Sequence, residues 1–152
     1  YPLELVEQLT RPYRSPKEIL CRRAHEVALG ANREILPYHQ WHYEIQDQRD
    51  GADIFFTGVS GVLYPPRSLS EKVFDENAFT SLTPKADDVW LYWMALLNGC
   101  TVRRVGPPGR IVDWPGSQDG ALWYENVANG GNDRQIAAMV KAYGLPPGLL
   151  AK

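Results

Sequence analysis

Two adjacent carboxylates, Asp87 and Asp88, stand at the head of the run DDVWLYWMALLNG, whose later residues are apolar nearly all round. A helix beginning there points its positive dipole end at them and favours their ionised form. A carboxylate kept ionised at the edge of a buried helix is a good general base. The same placement serves a helix that only needs its dipole offset, and spacing leaves both readings open. A second feature is Thr57-Gly58-Val59-Ser60-Gly61-Val62, two glycines bracketing a serine inside an apolar run. Such a segment lets backbone approach a ligand closely, although a β-bulge or a tight strand crossing uses the same residues. It is not the dinucleotide fingerprint, which needs G-x-G-x-x-G opening a helix. A third is Asn129-Gly-Gly-Asn-Asp-Arg-Gln135. Glycines ahead of a helix leave N–H groups that can hold an anion or sugar hydroxyls, while the plain reading makes Asn132 a helix cap. His39 and His42 have a spacing that fits one helix face, but Gln40 and Trp41 supply no third metal ligand. His25, after two arginines, reads as a hydrogen-bonded surface residue.

The elements that must position these groups follow from periodicity. YPLELVEQL is apolar at Leu3, Leu5, Val6 and Leu9, a short helical spacing that stops before Pro12. Ile19 and Cys21 alternate with polar neighbours and predict a strand. Residues 31 to 53 are polar and aromatic and read as a surface loop with short ordered pieces. IFFTGVSGVLYPP reads as one apolar strand interrupted by glycines and ending at Pro65-Pro66. The clearest helix is expected from about Pro84 to Asn98, with Thr83 as N-cap, Pro84 in the first turn and Gly99 beyond its end. TVRRV is a strand directly after it. The last helix is expected to open at Asn132, with Gln135 completing a capping box, and to face the core through Ile136, Met139, Val140 and Tyr143. Gly144 and Pro146 end it. Strands alternating with helices give an α/β layer in one domain spanning 1–152.

Composition narrows the partners. Sixteen Lys and Arg against eighteen Asp and Glu leave a net charge of −2, which argues against a polyanion-binding domain. No run approaches the 18 or so consecutive apolar residues of a membrane span, and the first residues carry no basic start before an apolar stretch. Neither a transmembrane segment nor a signal peptide is expected. Cys21 and Cys100 lie far apart, form no CxxC and are expected as reduced core thiols of a cytoplasmic protein.

Taken in order, GVSGVLYPPRSL, VFDENAF, TPKADDVWLYWMALLNG and LWYENVANGGNDRQI resemble the C-terminal half of a bacterial glycosyltransferase family with the GT-A fold. RRAH, and Pro37, Tyr38 and Trp41, fall where that family carries similar residues. The resemblance covers roughly Ile19 to Tyr143. It implies a Rossmann-like nucleotide-diphospho-sugar transferase fold, a mixed sheet with flanking helices, here without its N-terminal nucleotide-binding half. It implies transfer of a sugar from a nucleotide-sugar donor, UDP-sugar first among them, to a hydroxyl of a bacterial glycan or lipid-linked acceptor. Inverting members place a carboxylate at a helix N-terminus to deprotonate that hydroxyl, and Ala86-Asp87-Asp88 matches the place. Asp88 is then the general base and Asp87 binds sugar hydroxyls, with the two roles open to exchange. Gly58, Ser60 and Gly61 would line the donor-sugar and acceptor cleft, and Trp123, Asn132 and Asp133 would close its other side. In-line displacement at the anomeric carbon needs such a positioned hydroxyl and a stabilised leaving diphosphate.

The family also carries, upstream, an Asp-x-Asp type cluster that holds Mn²⁺ or Mg²⁺. No D-x-D occurs in these 152 residues, so the metal ligands are expected outside them and none is assigned here. The chain is accordingly expected to be a fragment of such an enzyme, cytoplasmic or peripheral to the inner membrane, or a member without its donor half. The alternative is a non-catalytic glycan-binding or interaction domain derived from a glycosyltransferase. A hydrolase ranks below both, because paired glycosidase carboxylates face each other about 5 to 9.5 Å apart, which neighbours in one helical turn do not do.

Overall fold

The computed structural model describes residues 2–107, 126–127 and 129–150. Its centre is a mixed four-stranded sheet in the order β3-β6-β1-β5, formed by β1 (Glu18–Cys21), β3 (Asp50–Gly51), β5 (Val62–Leu63) and β6 (Thr101–Arg104). β1 runs parallel to β6, with Ile19 opposite Val102 and Cys21 opposite Arg104, and antiparallel to β5. A second antiparallel pair joins β2 (Ala24–Glu26) to β4 (Ile54–Phe56) and sets His25 opposite Phe55.

Strand alternation sends successive side chains of β1 to opposite faces. Leu20 joins Leu9 and Val105 beneath α1 (Leu5–Thr10), while Ile19, Cys21 and Val102 enter the main core. That core is filled by α3 (Asp87–Leu97), whose Val89, Trp90 and Tyr92 to Leu96 are all buried. An element buried on every side must satisfy its polar ring atoms internally. Trp93 Nε1 accordingly donates to the Gly144 carbonyl at 3.1 Å, Trp90 Nε1 to the Val73 carbonyl at 3.2 Å, and the Tyr92 hydroxyl to the Ala52 carbonyl. Helix α4 (Gly131–Tyr143) adds Ile136 and Met139 to the same core and ends at Gly144, whose φ of 77° needs glycine. Among the described residues no helix is long and apolar enough to cross a membrane. Cys21 and Cys100 are free and buried.

The structure corrects several local expectations. IFFTGVSGVLYPP is not one strand. It splits into β4 and β5, which belong to different sheets, because the chain reverses through Gly58–Gly61 with Ser60 at φ 79° and Gly61 at φ 101°. Thr83 does not cap α3. It closes a separate helix, α2 (Glu76–Leu82), whose N-terminus is capped by the Asp75 carboxylate accepting the Ala78 N–H. α3 starts at Asp87 after Ala86, with no side-chain cap, and two acidic residues in its first turn offset the dipole instead. Nor is Asn132 a cap. Gly130, in the left-handed region at φ 66°, holds that position, and Asn132 is buried inside α4. Gln135 makes no capping box: its amide donates to the Gly131 carbonyl and to Asn126, and its oxygen accepts the Lys85 N–H.

Candidate functional site

The N-terminus of α3, the turn after β4, the inner end of β2 and the 38–44 segment converge on a cavity of about 340 Å³. Asp88 lies at its wall. The Gly58 N–H donates to Asp88 Oδ1 at 2.8 Å, so the turn after β4 and the head of α3 are tied through this carboxylate. A Cβ at Gly58 would lie 3.1 Å from Oδ1, a tight contact that would press on the carboxylate. Burial, reinforced by the neighbouring Asp87 charge, raises the Asp88 carboxyl to about 7, against the pull of the Gly58 N–H and the Arg23 guanidinium. Asp87 also lines the cavity and is exposed.

The same cavity has an aromatic and basic lining. Arg23 donates through Nη1 to Thr57 Oγ1 at 2.9 Å and through Nε and Nη2 to Glu44 Oε1, which fixes its guanidinium beside the cavity. His25 is buried with its ring edge-on to Tyr38 and Tyr43. This overturns the expectation of a surface histidine: β2 turns the side chain inward, next to Phe55 across the pair. Its Nδ1 accepts the Glu44 N–H at 2.9 Å. Burial, then the Arg23 charge, lower its imidazole to about 3, with a weaker opposite pull from the Ala24 backbone. The Tyr43 hydroxyl donates to the Tyr38 carbonyl at 3.1 Å, and burial raises both phenols.

The residues singled out from sequence are only partly brought together. Asp87, Asp88 and Asn132 border the cavity, and Gly58 joins it through its bond to Asp88. Ser60 and Gly61 shape the turn but do not border the cavity, and Gly61 packs toward Leu5 and Leu9 of α1. Asp133 acts on the site indirectly, accepting the Tyr38 N–H at 2.6 Å and so anchoring the aromatic segment to α4. Trp123 lies outside the described residues. The sequence reading gave no site role to Arg23, His25, Tyr43, Thr57, Lys85 and Asn126, all at the cavity. A signal for part of this existed: a long stretch rich in Tyr, Trp and His within a small domain is where binding residues concentrate.

The carboxylates of Asp87 and Asp88 are two donors, whereas Mn²⁺ or Mg²⁺ needs several oxygen ligands. Among the described residues no group of three or more His, Cys, Asp or Glu side chains could hold a metal ion, so the residues present do not fit that group and none is assigned to it. Comparison of the chain with protein-family profiles, with curated proteins and with solved structures gives no match.

Proposed function

We propose that this chain carries the acceptor side of a sugar-transfer reaction, with Asp88 as the general base. The supporting observation is the state of that carboxyl: half-buried at a cavity wall, fixed by the Gly58 N–H, and raised to about 7 by its surroundings. A base with a pKa near the working pH combines an adequate ionised fraction with real affinity for a proton. In the step, an Asp88 oxygen takes the proton of an acceptor hydroxyl. The acceptor oxygen's electron pair forms the new bond to the donor's anomeric carbon, and the bond to the nucleotide diphosphate breaks with its electrons leaving on the diphosphate. Asp87, one residue away, binds a neighbouring hydroxyl. Attack opposite the leaving group gives inversion.

The aromatic wall of Tyr38, Tyr43 and Phe55 favours a second reading, sugar binding without chemistry, because aromatic rings and amides such as Asn132 suffice to hold a pyranose. One experiment separates the two. Wild-type and Asp88→Asn proteins are incubated with labelled nucleotide sugars and pyranoside acceptors, and both transfer and acceptor binding are measured. The transfer reading expects a wild-type rate that rises with pH through about 7 and falls 10²- to 10⁴-fold in Asp88→Asn, with acceptor binding retained. Equal transfer by both proteins sinks Asp88 as base. Acceptor binding with no transfer by the wild type, even when a nucleotide-sugar-binding half is supplied in trans, favours the second reading.

A further inference from the structure

His25 is a buried polar side chain at the cavity to which the proposed proton transfer gives no task. Its Nδ1 accepts the Glu44 N–H, so the proton of the neutral ring resides on Nε2. A flipped ring would set a C–H against that N–H and leave a donor unpaired, so the orientation is locked. Edge contacts with Tyr38 and Tyr43, at centroid distances of 5.9 and 4.7 Å, hold it further. Nε2 makes no hydrogen bond to a described residue, yet it is not sealed in the interior. The open space that the ring borders is the cavity. The imidazole stays neutral throughout the ordinary pH range, so Nε2–H is a standing donor and never a proton shuttle.

The carboxylates that line the same cavity have the opposite polarity. Ionised Asp88 and Asp87 only accept. A ligand that satisfies both groups therefore offers an O–H to the carboxylates and an oxygen lone pair to His25. A phosphate or carboxylate could accept from His25 but would stand against Asp87 and Asp88, and the Arg23 guanidinium that could offset them is already engaged by Glu44 and Thr57. A neutral hydroxylated ring meets both demands with adjacent oxygens. We infer that the Nε2–H of His25 is a ligand contact, donating to an oxygen of a neutral pyranose in this cavity and thereby selecting which hydroxyl is turned toward Asp88. This inference rests on the sugar reading above.

The test uses the chain itself with a panel of methyl pyranosides and their mono-deoxy analogues. Imidazole ¹H–¹⁵N correlations report on His25 directly, and titrations give dissociation constants for wild type, His25→Asn and His25→Gln. Asparagine keeps an acceptor near the Nδ1 position and loses the far donor, whereas glutamine can restore a donor near Nε2. The expected result is that the Nε2–H resonance shifts with bound sugar and that His25→Asn weakens binding about tenfold, with partial recovery in His25→Gln. One deoxy analogue, lacking the oxygen that His25 contacts, should bind wild type and His25→Asn alike. A merely structural role predicts the reverse ranking, with glutamine worse than asparagine and no analogue dependence, and would overturn the inference. Sugar binding that leaves the Nε2–H resonance unmoved also overturns it, while the sugar reading stands. No binding by any pyranoside overturns both. The wild-type resonance decides the matter even where a variant fails to fold.

Discussion

Asp88 is held where its charge is costly. A carboxyl whose folded pKa is about 7, against an unperturbed value near 3.8, binds its proton more tightly in the native state than in the unfolded chain. Between about pH 4 and 7 the folded protein therefore carries more protons, so this group makes stability fall as pH rises, and the loss remains above 7. Its ceiling is about 4 kcal/mol for a shift of this size. Asp88→Asn removes the charge while its amide oxygen can still accept the Gly58 N–H. The variant should be more stable than wild type at pH 8 by about 1–3 kcal/mol, with most of that difference gone by pH 4, as read by urea unfolding at both pH values. A variant no more stable at pH 8 would show that burial does not govern this group. Gly58→Ala acts on the same contact from the other side. Its Cβ would press on Oδ1 and loosen the N–H bond that pulls the pKa down. The expected outcome is a stability loss of about 1 kcal/mol and an upward move of the apparent pKa in the pH–rate profile.

At the level of elements, the pairing of β1 with β6 is tied by a buried ion pair as well as by its ladder. Arg103 donates through Nε and Nη2 to the two oxygens of Glu18, at 2.7 and 2.8 Å, and through Nη2 to the Pro12 carbonyl. Both side chains are almost wholly buried. Removing one partner of such a pair strands the other charge, so Glu18→Ala should cost about 3–5 kcal/mol in urea unfolding. Replacing both, as Glu18→Leu with Arg103→Met, should recover most of that loss. A double variant as unstable as the single one would assign the cost to packing. None of this pairing was legible in the sequence, because Glu18 and Arg103 meet only once the parallel register exists. α3 and α4 were legible in outline, since a long apolar run and an apolar stripe report burial directly. Their starts were not, because backbone geometry at Ala86 and Gly130, and no side-chain cap, sets them. α2 escaped notice because Glu76–Leu82 is short and buries no residue fully.

For the whole molecule, the aromatic core is what joins the two sheets to the site. Phe55 and Phe56 of β4 meet Tyr92 of α3 edge-on, and Phe55 meets Trp41 and Tyr38 of the segment that walls the cavity. The carboxylate pair of the site was visible in sequence because Asp87 and Asp88 stand out against an apolar helix. His25 and Arg23 were not, because their inward placement depends on a strand pair and a loop more than a dozen residues away. If core and site open as one unit, the two buried thiols report it. Burial raises the Cys21 thiol to about 12, with Arg104 opposing and Asp88 adding to the shift, and burial likewise raises Cys100. Cys21 lies under β1 beside the Arg103 carbonyl, and Cys100 follows α3, with its thiol against the Ser68 carbonyl. Neither thiolate is available in the native state, so modification at pH 8 must wait for opening. Both should react with a thiol reagent at least about a thousandfold slower than in the urea-unfolded chain, given ordinary domain stability. Equal native rates for the two would mean that the sheet and the end of α3 open together, carrying the cavity with them. A Cys21 that is labelled within seconds under native conditions would contradict a core continuous from β1 to the base at Asp88. The floor of the proposed site would then have to be sought in a looser structure.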